Sequence, residues 1–168
     1  FSMDKLLWFN KYYLDQMSID QLMGVVELQH FDGSEYSKTV METIRDRCST
    51  LNEFSSNADY FFKDPEDYDP SLLLKHCKED TFNHLSLLKD QLEALEIWEQ
   101  TYIKEVIDSV VSDLDIGFGK IGLPLRLALT ATVNSPSIDL VCEILGKEIT
   151  LRRLENFLTK IKNLKTDQ

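Results

Sequence analysis

Apolar residues return at three- and four-residue intervals along most of this chain. Leu6, Phe9, Tyr13 and Met17 form the first series, Leu22, Val25 and Val26 the second, and Val40, Ile44 and Cys48 the third, the spacing that lines one face of an α-helix. The alternation of a half-buried strand is scarce. Helix starts agree with the periodicity: Ser18 followed by Gln21 reads as a capping box, and Ser34 opens the segment that carries Val40 and Ile44. The stretch from Lys63 to Pro70 breaks the pattern with two prolines and four acids, and proline disfavours helix in the residue before it. A subdomain boundary is placed there, giving 1–66 and 67–168. Beyond it the period resumes over Leu72 to Cys77, Thr81 to Leu95 and Ile103 to Val111. Ser135 and Pro136 read as the start of a short helix and Gly146 as its stop. The last helix sets Leu151, Leu154, Phe157 or Leu158, Ile161 and Leu164 on one face, with Arg152, Arg153, Lys160, Lys162 and Lys165 around it. The predicted fold class is all-α, two packed helical subdomains without significant sheet.

At 168 residues and 43% apolar composition the chain can bury one substantial core, or two small ones sharing a seam. Its apolar runs are interrupted by charges far short of the roughly 20 residues a membrane span needs, and no secretory signal opens it. Cys48, Cys77 and Cys142 are odd in number and widely spaced, which encodes neither a disulfide framework nor a zinc site. A cytoplasmic setting is expected. The formal charge of −11 argues against a phosphate-bearing partner until its distribution is examined. Residues 1–116 hold 10 basic and 24 acidic side chains, net −14, whereas 117–168 hold 8 and 5, net +3. One end of the molecule can therefore face phosphates while the remainder faces solvent.

Candidate chemistry is sparse. The acidic stretch resembles a calcium loop only superficially, since Asp69 and Lys75 stand where glycine and glutamate are required. Gly117, Gly119 and Gly122 spell G-x-G-x-x-G, but that fingerprint needs a preceding strand and a parallel sheet. His30, His76 and His84 share no metal-ligand spacing, so no metal site is assigned. The abundant carboxylates single out no pair, no serine sits in a G-x-S-x-G elbow, and no catalytic residue is assigned. Trp8, Trp98 and Tyr60 to Phe62 are expected in the core by burial habit. Arg45 and Arg47, taken by themselves, are ordinary arginines that could pair with Glu42 or Asp46 on a solvated helix face.

Several short blocks in fixed order change this reading. Lys5-Leu-Leu-Trp-Phe-Asn10 is followed by Ile44-Arg-Asp-Arg47, Thr50-Leu51, Glu53-Phe54 and Ala58-x-Tyr60-Phe61-Phe62. Trp98, Pro124-Leu-Arg126, Ala128-Leu-Thr130, Ser135-Pro136, Leu145-Gly-Lys-Glu148 and Arg153-Leu154 then complete the series. Together they resemble the helical, anticodon-binding half of bacterial-type glutamyl-tRNA synthetases over nearly the whole chain. The resemblance implies a helical cage around the anticodon loop of tRNA-Glu, with 1–66 nearer the stem and 67–168 as the distal bundle. It implies that Arg47 reads the third anticodon base, as in members that favour glutamate tRNA over glutamine tRNA. Arg126 would be a second arginine at the anticodon, and Ser135, Pro136 and Ile138 the turn and helix start on which the first two bases rest. Asp139 departs from the apolar residue that would stack better there. Arg152 and Arg153 are candidate phosphate contacts, unless one of them caps a neighbouring helix. The family's two catalytic signatures are absent from this sequence, so ATP, Mg and the ligase reaction would belong to a catalytic half outside it, and no cofactor is expected within it. A monomer is expected. Two alternatives stand beside this reading: an acidic interaction domain whose basic last helix docks to a partner or membrane, and a nucleotide-binding enzyme built on Gly117 to Gly122, which requires a parallel sheet.

Overall fold

The computed structural model describes residues 2–26 and 32–166, the last two by backbone alone; His30 lies outside them. Every regular element among the described residues is an α-helix, which removes the parallel sheet that the glycine fingerprint would need. The chain divides into two compact units between Lys63 and Asp64.

The first unit holds α1 (Met3–Gln16), α2 (Ile19–Val25), α3 (Glu35–Arg45) and α4 (Leu51–Phe62). Its starts are locally encoded. Ser18 and Gln21 form a reciprocal capping box at α2, Thr50 and Glu53 form another at α4, and the Ser34 hydroxyl accepts from the Ser37 N–H at α3, each satisfying donors that a helix cannot pair internally. The core comprises Leu22, Val40, Met41, Ile44, Cys48 and Phe54, none with measurable exposure. Each such side chain contributes roughly 1.5–3 kcal/mol relative to an exposed one.

Helix α1 departs from expectation. Leu6, Phe9 and Tyr13, predicted to face the core, are exposed, and Trp8 is 62% exposed. The inward stripe is instead Leu7, Asn10, Leu14 and Met17. Because α1 is apolar around most of its circumference, periodicity alone could not choose the stripe. Tyr60 and Phe61 are buried as expected.

The second unit holds α5 (Pro70–His76), α6 (Thr81–Glu93), α7 (Gln100–Asp113), α8 (Gly119–Thr130), α9 (Ile138–Leu145) and α10 (Lys147–Thr166). Helix α8 is central, buried on several faces through Ile121, Leu125, Leu127, Ala128 and Leu129, and packs against α5, α6, α9 and α10. Its glycines open a helix, with the Phe118 ring lying where a side chain at Gly122 would stand. Leu154, Phe157, Leu158 and Ile161 bury most of the apolar face of α10 in the bundle, while Leu164 at its far end stays exposed. No described helix is long and apolar enough to cross a membrane.

The acidic segment after α4 is held rather than loose. Both Asp64 oxygens accept from Arg152 and Arg153, Lys160 Nζ donates to the Glu66 carbonyl at 3.1 Å, and the Tyr68 ring meets Phe157 edge-on at 5.1 Å with Lys160 over its face. Burial pushes the Tyr68 phenol up to about 12. These contacts tie Asp64, Glu66 and Tyr68 to α10 of the second unit.

Candidate functional site

In the first unit, the turn after α3 presents Arg47. Ile44 and Cys48 on either side of it are fully buried, the Arg47 N–H closes the turn on the Ile44 carbonyl at 2.9 Å, and the side chain is exposed. Among the described residues it makes no side-chain hydrogen bond or ion pair. Arg45, two residues earlier, does the opposite: its Nη2 donates to the carbonyls of Leu14, at 2.9 Å, and Met17, closing the C-terminal end of α1 where a cation is favoured. Neither arginine pairs with Glu42 or Asp46.

In the second unit, Arg126, Ser135, Pro136 and Ile138 converge. Arg126 Nη1 donates to the Ser135 carbonyl at 2.9 Å, the Ser135 hydroxyl at 3.1 Å and the Pro136 carbonyl at 3.3 Å, and the Ser135 hydroxyl donates onward to the Pro136 carbonyl at 2.9 Å. The loop enters from α8 through Ala131, whose φ of 56° is left-handed, and the Thr130 hydroxyl lies 2.7 Å from the Arg126 carbonyl and 3.0 Å from that of Thr132.

This bonding corrects the predicted helix start. Helix α9 begins at Ile138, with Ser137 as N-cap and no side-chain cap bond. Ser135 does not cap because its hydroxyl is engaged with Arg126 and the Pro136 carbonyl. Ser135 and Ile138 retain only 4% and 2% exposure, and Pro136 is buried, so their side chains set the shape of the turn while Asn134 and Ser137 form its exposed surface. Ile138 starts the inner face of α9 with Val141, Cys142 and Leu145. Burial pushes the Cys142 thiol far above its ordinary value.

Asp139, the departure from the family pattern, has a partner that sequence could not show. It accepts from Gln100 Nε2 at 2.8 Å, while the neighbouring Glu143 accepts from the Gln100 N–H at 2.5 Å. The two acids thereby complete the start of α7, whose own N-cap residue Glu99 makes no side-chain bond. Trp98, expected in the core, is half-buried and donates from Nε1 to the Cys142 carbonyl at 2.8 Å.

Arg152 and Arg153 meet at Asp64. Arg152 is exposed and forks onto both carboxylate oxygens at 2.9 Å, a geometry guanidinium favours. Arg153 is 2% exposed, with Nε on Asp64 at 2.8 Å and Nη1 on the Leu129 carbonyl at 2.7 Å. It closes the C-terminal end of α8, and so buried a group has no surface to offer a phosphate. The two guanidinium groups hold the Asp64 carboxyl below its ordinary value, Arg152 by the larger effect. Among the described residues no cluster of histidine, cysteine or acidic side chains has the geometry to hold a metal ion.

The fold is an all-helical module of two units. The chain belongs to the anticodon-binding domain family, whose model matches residues 12–158. It is similar to the crystal structure of a glutamate tRNA ligase from Elizabethkingia meningosepticum in complex with its amino acid, with a TM-score of 0.82, 25% identity and 95% of this chain covered. A glutamate-tRNA synthetase from Elizabethkingia anophelis shares the fold, with a TM-score of 0.76 and 24% identity over 95% of this chain. In both cases the chain spans 32% of the matched protein.

Proposed function

We propose that this chain is the anticodon-recognition region of a glutamate–tRNA ligase. The observation that carries the reading is the anticodon-binding family match over residues 12–158, supported by the overlay of 95% of the chain on a glutamate tRNA ligase fold. The remainder of the protein would activate glutamate with ATP and Mg and transfer it to tRNA-Glu, and none of those steps is assigned to a residue here. The protein works as a monomer in the cytoplasm; a net charge of −11 opposes self-association, and its three cysteines are free.

Recognition divides between two kinds of residue. Arg47, exposed and without a side-chain partner among the described residues, reads the third anticodon base. Its planar fork of donors suits the acceptors of cytosine, whereas a guanine in that place sets a donor or a clash against it, and an unstacked loop base can be approached on its edge. Arg126 shapes the loop at 131–137, whose exposed positions Asn134 and Ser137 face the first two bases, and the buried Ser135, Pro136 and Ile138 keep that surface in place. Arg152, outermost of the Asp64 pair, is the cation nearer to hand for a phosphate.

The test is binding of this domain to the anticodon stem-loop of tRNA-Glu and to the same loop with its third anticodon base changed from C to G, each with wild type and Arg47→Gln. The expected preference of the wild type for C is about 1–3 kcal/mol, the scale of a lost base-specific pair, and it disappears in the variant. Equal binding of both loops by the wild type removes Arg47 as reader. Absence of salt-sensitive binding to either loop, by the domain and by the whole ligase, overturns the reading in favour of a protein-interaction domain.

A further inference from the structure

Arg47, Cys48 and Ser49 join the end of α3 at Asp46 to the N-cap of α4 at Thr50. Because the Arg47 guanidinium has no side-chain partner among the described residues, its position is inherited from the backbone of this short link. On one side that backbone is held by α3, where the N–H groups of Arg47 and Cys48 close onto the carbonyls of Ile44 and Arg45 at 2.9 and 3.1 Å. On the other side it is held by a single carboxylate. Glu53 Oε2 accepts from the Ser49 N–H and, at 3.2 Å, from the Thr50 N–H, while Thr50 Oγ1 accepts from the Glu53 N–H at 3.4 Å. Between the two anchors the Cys48 thiol donates to the Ile44 carbonyl at 3.3 Å, and Asn57 Nδ2 donates to its sulfur at 3.5 Å.

We propose that Glu53 is the positioning residue for Arg47: by holding the Ser49 and Thr50 N–H groups, its carboxylate sets where the guanidinium presents its donors and thereby the choice at the third anticodon base. The proposal rests on the reading of Arg47 given above. Two observations separate this role from ordinary capping. A capping box needs one bond from its acidic or amide side chain back to the N-cap N–H, and Gln21 makes that single bond at α2, to the Ser18 N–H at 2.8 Å. Glu53 reaches one residue further, to Ser49, two positions from Arg47. The Glu53 side chain is also half-buried and forms no ion pair among the described residues, so its charge is spent on the backbone of the link. Hydrogen bonds to an ionised acceptor are roughly twice as strong as neutral ones. A recognition group discriminates only when the residues behind it hold it to within about 0.5 Å of its productive place, and Glu53 supplies that support for a side chain that otherwise stands alone in solvent.

The experiment measures kcat/KM of the full-length ligase for tRNA-Glu and for the same tRNA with its third anticodon base changed from C to G. Wild type, Glu53→Ala, Glu53→Gln and Gln21→Ala are compared. The readout is the ratio of the two constants, from which any unfolded fraction of enzyme cancels. Glu53→Ala is expected to lower the ratio about fivefold, the lower end of what a base-specific pair is worth. Glu53→Gln, whose amide oxygen still accepts, is expected to stay within about twofold of wild type, since it keeps the bonds and loses only their charge. Gln21→Ala, which removes a capping bond from another helix of the same unit, is expected to leave the ratio unchanged. A ratio that survives Glu53→Ala overturns the proposal. An equal fall in Gln21→Ala overturns it as well, because loss of any cap would then suffice, and so does a fall in Glu53→Gln as large as in Glu53→Ala, which would make charge the cause. Should Glu53→Ala yield no active enzyme, Glu53→Asp, one methylene shorter, is judged by the same ratio. A wild type without preference for C is the failure of the Arg47 reading and takes this proposal with it, whereas a preference indifferent to Glu53 defeats the proposal alone.

Discussion

Arg126 and Ser135 lie nine positions apart in sequence, yet one guanidinium nitrogen holds both the carbonyl, at 2.9 Å, and the hydroxyl, at 3.1 Å, of the serine. A long cation from the central helix thus fixes the connection just before α9. Ser135→Ala removes an acceptor for Arg126 and a donor to the Pro136 carbonyl, in a position only 4% exposed. The expected loss is about 1–2 kcal/mol of unfolding free energy, read from urea denaturation. If the proposed role of the loop holds, discrimination at the first two anticodon bases weakens alongside.

Arg45 and Arg47 lie within three residues, one bonded to the end of α1 and the other exposed. Arg45→Met keeps the aliphatic stem but removes the donors that close α1, so a loss of about 1.5–3 kcal/mol is expected. Arg47→Gln should move stability by less than about 0.5 kcal/mol, as surface changes away from bonded features do. Parallel melts of the two variants check this, and a destabilised Arg47→Gln would show that the turn depends on the charge.

Replacing Asp64 tests how the acidic segment is held. Asp64→Asn leaves the Arg153 guanidinium, 2% exposed, without its charged partner. We expect a cost of about 3 kcal/mol, the lower end of what breaking a buried pair costs, because Asp64 itself is 35% exposed. Native-state hydrogen exchange should show the end of α8 and the α10 turn bearing Arg152 and Arg153 losing protection first.

Acid should weaken the fold through carboxylates held low. The Ser34 hydroxyl and N–H bring Asp32 down to about 2, the guanidinium groups of Arg152 and Arg153 lower Asp64, and Ser71 lowers Asp69. A carboxyl with a depressed folded value adds stability above its unfolded value, about 4, and loses it as pH falls through the folded one. The urea midpoint should therefore hold from about pH 6 to about pH 5 and decline toward about pH 2. In Asp64→Asn the decline should be shallower.

Much of the fold was legible because helix starts are local events. Ser18 with Gln21 and Ser34 could be read directly, since a cap and its donor lie within one turn. The long-range placements could not. Ser135-Pro136 has the letters of a helix start, but its serine is claimed by Arg126 from another helix, and α9 begins two residues on at Ile138. Trp8 has the habit of a core residue and stands exposed, because α1 is apolar around most of its circumference and the letters alone do not choose which stripe turns inward. Gln100 with Asp139 and Glu143, and Asp64 with both arginines, join residues dozens of positions apart, where no periodicity reaches. The candidate recognition residues came from ordered blocks of resemblance; the structure adds that Arg47 is outward while Ser135, Pro136 and Ile138 are inward.

Cations close helix ends throughout this protein. Arg45 closes α1, Lys78 donates to the Leu74 carbonyl in α5, Lys147 binds the carbonyls of Glu93 and Leu95 after α6, and Arg153 closes α8. Positive charge bound to carbonyls does little to draw a polyanion, so the field an RNA meets is weaker than a count of lysines and arginines implies. A module of this kind can distinguish one loop from another far better than it can hold either. In the ligase proposed above, such selectivity would act at the effective concentration that binding elsewhere on the same tRNA supplies.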